Sequence, residues 1–204
     1  MEKVLARHIR DNLGLYLVII FSFLGGIIVG TLALYFLESQ QVTRLAAHLD
    51  NLLQQINSSD IKGYKVLYDA MIDALKEIGL VWFLGLTVIG IPLIILVVFF
   101  KGFILGFTVG FLVQQKALYG VALSLMAVMP PNFIQIPALF MAAMLAISFS
   151  ISLMRGRGVG EKGLLPRFFS YSICMILVTL LVAGGGLVEA YLAPAFARVV
   201  LNYF

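Results

Sequence analysis

The chain has 204 residues, of which 62% are hydrophobic and 12% charged, and its 14 lysines and arginines outnumber 10 aspartates and glutamates for a net charge of +4. With a mean hydropathy of +1.06, so few charges cannot clothe a soluble globule, and the chain must use lipid as its solvent. Glycine without a three-residue period, abundant aliphatic residues and one cysteine, Cys174, exclude collagen-like, disordered and disulfide-stapled classes. The bases flank apolar runs instead of forming one basic face, so they mark topology and not a nucleic-acid surface.

A bilayer core about 30 Å thick takes roughly 20 helical residues to cross. In chain order, the sequence predicts a basic cytoplasmic N-terminus (1–12), a first span (13–37), an extracytoplasmic helical hairpin (38–77) and a second span (78–100). A third span (102–129), a fourth (133–154), a basic cytoplasmic loop (155–167), a fifth span (168–192) and an extracytoplasmic C-terminus (193–204) follow. The first span is too long for a cleaved signal segment and reads as a retained anchor. The expected fold is an all-α integral membrane protein, a bundle of five transmembrane helices with a short amphipathic helical hairpin outside the cytoplasm.

Lys3, Arg7 and Arg10 before the first span and Arg155, Arg157, Lys162 and Arg167 before the last fit a cytoplasmic placement of both groups. Two further spans on either side of Lys101 give the even number of crossings that this requires. In the hairpin, Val42, Leu45, Ala46, Leu49, Leu52, Leu53 and Ile56 recur at helical spacing, as do Ile61, Tyr64, Tyr68, Met71, Ile72 and Leu75. Asn57-Ser58-Ser59-Asp60 between them reads as a turn, with Asp60 placed to cap the second helix. The two helices either cover each other and the lipid headgroups or present a docking face, for which Leu45, Leu49, Leu52, Tyr64 and Tyr68 are the candidates.

The third span is about 28 residues, roughly 42 Å of helix, longer than one straight crossing. It contains Gln114, Gln115 and Lys116. Either these interrupt a spanning helix inside the bundle, or the segment is broken with its polar break facing a wet cavity. Gly102, Gly106 and Gly110 repeat every four residues, as do Gly26 and Gly30, and such faces let another backbone approach, within one bundle or between copies in a homo-oligomer. Gly184, Gly185 and Gly186 are contiguous and loosen the outer half of the fifth span.

Hydrolytic chemistry lacks its usual residues. His8 and His48 both lie outside the spans, no aspartate falls within one, and no zinc-binding helix is encoded, so no catalytic residue, metal or cofactor is expected. Ser124, Ser148, Ser150 and Ser152 are expected to bond helix backbones.

The most specific stretch is Pro130-Pro131-Asn132-Phe133-Ile134-Gln135-Ile136-Pro137-Ala138. Pro130 and Pro131 are expected to stop the preceding helix and Asn132 to cap the next, leaving Gln135 a turn into the membrane in need of a partner. On these residues the chain resembles the stage II sporulation protein M family, which commonly shows P-H-G-x-x-E-x-P-A before a transmembrane helix. Pro130, Pro137 and Ala138 match; Pro131, Asn132 and Gln135 stand where histidine, glycine and glutamate are usual. The Lys101-Gly102-Phe103-Ile104-Leu105-Gly106-Phe107 stretch, the basic start and the five-span plan extend the resemblance over essentially the whole chain.

The resemblance implies a role in endospore engulfment, with membrane lipid and the peptidoglycan-cutting stage II sporulation proteins D and P as partners, and a location in the mother-cell membrane at the septum and engulfing edge. A noncatalytic scaffold is the favoured reading. The alternative is a small transporter or channel subunit with a polar pathway near Lys116 and Gln135.

Overall fold

The computed structural model describes residues 13–57, 63–154, 164–192 and 195–196, and every element among them is helical. Helix α1 (Leu13–Ala33) ends in a 3₁₀ turn, Leu34–Phe36. The amphipathic α2 (Ser39–Asn57) precedes α3 (Gly63–Gly85), which runs on from the second half of the expected hairpin directly into the apolar region. Helix α4 (Gly90–Leu123) passes through a π-helical turn, Ser124–Val128, into α5 (Met129–Met154). Helix α6 (Leu164–Leu187) ends in a second π-helical turn, Val188–Leu192. The expected turn residues Ser58, Ser59 and Asp60, the basic segments 1–12 and 155–163 and most of the C-terminal stretch lie outside the described residues.

Two reversals place the helices differently from the apolar runs. The run 78–100 is not one helix: it is divided between α3 and α4 by a turn closed by amide-to-carbonyl bonds from Leu86 to Phe83 (3.2 Å), Thr87 to Leu84 (3.1 Å) and Gly90 to Thr87 (3.2 Å). A Cβ on Gly90 would strike the Leu84 carbonyl, so the turn requires glycine there. Pro92 follows in the first turn of α4, where its missing N–H is harmless. The second reversal is within 102–129, at Ala117, whose φ of 48° and ψ of −125° break the helix. Beyond it Gly120 lies against the Leu112 carbonyl, and the far ends of the segment meet again where Ser150 Oγ donates to Thr87 O at 2.8 Å. Residues 90–154 therefore form a helical hairpin folded at Ala117. Lys101, expected at a loop, lies well inside the first arm.

Pro130 and Pro131 do not stop the helix either. They follow the π-helical turn Ser124–Val128, whose wider winding accommodates ring nitrogens that cannot donate to the preceding turn. Asn132 is consequently not a cap: its Nδ2 donates back to Val128 O at 2.8 Å.

Packing is tightest between α1 and α4. Their glycines interlock, with a Cβ at Gly26 or Gly30 striking the carbonyls of Phe99 or Phe103, and one at Gly102 or Gly106 striking those of Phe23 or Ile27. Ser22 Oγ donates to Ile95 O at 3.0 Å and Thr31 Oγ1 to Gly106 O at 3.2 Å, bonding the two backbones where they approach. Across the bundle α5 presents Ala138, Ala142, Ala143 and Ala146, all fully buried, which lets α3, α4 and α6 close around it. Ile19, Ile78, Ile94, Leu139 and Ile147 fill the space between.

The outward faces are the reverse of a soluble protein's. Phe21, Ile28, Ile104, Ile176 and Leu180 are each at least 60% exposed, and such a girdle suits hydrocarbon as its solvent. Among the described residues, three continuous helical stretches are long and apolar enough to cross a membrane: Leu13–Phe36, Gly90–Met154 and Leu165–Leu192. The second contains the reversal at Ala117 and so consists of two antiparallel arms.

Candidate functional site

Three charged side chains and one amide of the bundle converge on one row. Lys101 Nζ on α4 donates to Glu77 Oε2 on α3 at 2.9 Å and to Gln135 Oε1 on α5 at 3.4 Å. Gln135 Nε2 in turn donates to Glu189 Oε2 at 3.0 Å, on the π-helical turn that ends α6. Each polar atom needs this arrangement: an unpaired lysine or amide among helices facing lipid costs several kcal/mol. The row thereby ties together four helices far apart in sequence. Glu77 is the innermost of Asp69, Asp73 and Glu77, which occupy successive turns of one face of α3.

A cleft of about 280 Å³ opens above the row, lined by Asp69, Asp73, Ala74, Glu77, Lys101 and Glu189 among others. On the other side of Gln135 a second cleft, about 260 Å³, is lined by Thr108, Asn132, Lys101 and Glu189 along with apolar residues. Carboxylates outnumber the single lysine in the first, so it presents a negative field toward its open end.

The structure brings some of the sequence-derived residues together and separates others. Gln135 is in the row; Pro131 and Ala138 are buried on the same helix, and Pro130 and Pro137 are not. Gly26, Gly30, Gly102, Gly106 and Gly110 meet across α1 and α4, Gly110 against Leu34 and Thr31. Lys116 does not share a pathway with Gln135. It lies beside the reversal at Ala117, and its Nζ contacts Asp50 Oδ1 of α2 at 2.8 Å.

Leu49 packs against the cluster of Leu112 and Leu123, as Tyr119 does, so α2 touches the fold of the α4–α5 hairpin. Leu45 is half-buried and Tyr68 is 64% exposed; the side chains of Leu52 and Tyr64 lie outside the described residues. Sequence reasoning missed Lys101, Glu77 and Glu189 as one group. The signal that could have found them is the acidic stripe at four-residue spacing along α3, which continues into an otherwise apolar face.

Described elements that are all helical, with an aliphatic girdle around a compact polar row, define an integral membrane protein of the α-helical class. The family model for stage II sporulation protein M matches residues 17–194. The chain belongs to that family and is a sporulation-related membrane protein. No curated protein and no solved structure shows significant similarity to it.

Proposed function

We propose that this protein is a noncatalytic membrane scaffold for endospore formation, one that recruits and localises the peptidoglycan-cutting stage II sporulation proteins D and P during engulfment. In this reading α1, α3, α4, α5 and α6 each cross the membrane, with the N-terminus in the cytoplasm and the C-terminus outside, in the mother-cell membrane at the septum and the engulfing edge. The alternating direction of these helices and the basic segments at 1–12 and 155–167 support the topology. The observation that carries the scaffold role is the outer end of the bundle. There, in this reading, α2 and the first turns of α3 stand beyond the apolar girdle, and Tyr68 is 64% exposed.

A large ring with a hydroxyl is well suited to a partly wet protein contact, and truncating such an anchor costs on the order of 1 to 2 kcal/mol at an interface. Tyr68→Ala, alone and with Tyr64→Ala, is expected to leave protein level and membrane insertion unchanged while reducing recovery of the wall-cutting partners about tenfold and stalling engulfment at the septum. Full partner recovery with normal engulfment would remove the outer end of the bundle as the dock.

A further inference from the structure

We propose that the Gln135–Glu189 bond is a latch, holding the last turn of α6 over the cleft that leads to Lys101, and that its release opens the cleft. The bond is the outermost link of the polar row, and unlike the Glu77–Lys101 pair, in which each side chain is about one-fifth exposed, it lies at the open rim. Glu189 is carried by the π-helical turn Val188–Leu192, which only Leu187 separates from Gly184, Gly185 and Gly186.

Three consecutive glycines in a helix each forgo about 1 kcal/mol of helix preference relative to alanine, which makes this the softest joint in α6. Their surroundings suit a joint that seats and unseats. Nothing lies within 4 Å of where a Gly184 Cβ would stand, whereas one on Gly185 would come within 2.9 Å of Gln135 Cγ and one on Gly186 within 3.1 Å of Ala70 Cβ. The glycines thus permit the closed position and the amide of Gln135 secures it. The chemistry at 135 is specific: an amide donates to Glu189 through Nε2 while accepting from Lys101 through Oε1, which a carboxylate at that position could not do.

The test uses purified, detergent-solubilised full-length protein in a Cys174→Ala background with Ala74→Cys, a buried position on the cleft wall, and follows its reaction with a charged maleimide. Glu189→Met keeps the length of the side chain but cannot accept the bond, and should speed labelling about fivefold, the factor expected for a charge-assisted bond at a partly wet site. Glu189→Gln still accepts but without the charge, and should label at a rate between those of the parent and Glu189→Met. Gln135→Glu should label faster through repulsion, and the exchanged pair Gln135→Glu with Glu189→Gln should return to the parent rate. Thermal melting of each variant separates opening of the cleft, in which the midpoint stays close to the parent's, from general unfolding. If Gln135→Glu does not accumulate, recovery of the exchanged pair to the parent's level and rate supports the latch. Equal labelling of Glu189→Met and the parent, a rise matched by loss of the fold, or an exchanged pair that does not recover would each overturn it.

Discussion

Gly106 and Gly184 are both glycines within apolar helices, yet their surroundings differ completely. A Cβ on Gly106 would run into the Ile27 carbonyl across the α1–α4 contact, whereas one on Gly184 would meet nothing. Gly106→Leu is therefore expected to force the two backbones apart, costing about 3 kcal/mol and lowering steady-state protein level, while Gly184→Leu leaves the level near the parent's. Equal levels for the two would show that α1 and α4 tolerate separation. At Lys101 the chemistry is electrostatic. Lys101→Met leaves Glu77 without its cation and should destabilise the protein by about 2 kcal/mol, less than for a fully buried pair because water still reaches both side chains. Lys101→Met combined with Glu77→Gln removes both charges and should recover most of that loss, measured as the melting midpoint in detergent. The four-residue glycine spacing was legible in the sequence because small-residue periodicity is a local property. The pairing of Lys101 was not, because Glu77, Gln135 and Glu189 reach it only after three chain reversals.

At the scale of elements, what hydropathy reads well is length, and what it reads poorly is where a helix turns back. The apolar runs at the two ends of the chain each fall on one continuous helical stretch, Leu13–Phe36 and Leu165–Leu192. The turn Leu86–Ile89 is as apolar as its neighbours, so a window average passes over it and yields the single run 78–100; only Gly85, Thr87, Gly90 and Pro92 mark the place. The break in 102–129 was foreshadowed by Gln114, Gln115 and Lys116, which stand immediately before it. Its cause is a backbone conformation that residues with a Cβ avoid. Ala117→Gly should therefore raise stability by about 1 kcal/mol through relief of that strain, visible as a higher melting midpoint in detergent. An unchanged or lower midpoint would mean that the surroundings of Ala117 already offset the cost. The prolines of the 130–138 stretch misled in the opposite direction, since a π-helical turn absorbs their missing donors and the helix continues through them.

For the whole molecule, the five-crossing arrangement proposed above makes opposite statements about two loops. Single cysteines replacing Ser58 and Gly158 in a Cys174→Ala background should differ in intact cells, Ser58→Cys reacting with an impermeant thiol reagent and Gly158→Cys reacting only after the membrane is opened. Labelling of Gly158→Cys alone from outside would invert the topology. The interlocked glycines of α1 and α4 also bear on how the protein is made. Helix α1 leaves the ribosome roughly 75 residues ahead of the glycines that receive it. Until then Gly26 and Gly30 form an unfilled notch facing lipid, and only synthesis of α4 supplies the matching surface. Helix α1 thus waits in the membrane until α4 is made. A nascent chain halted before Gly102 would carry an anchor without its mate, exposed in the bilayer to whatever small-faced helix reaches it first.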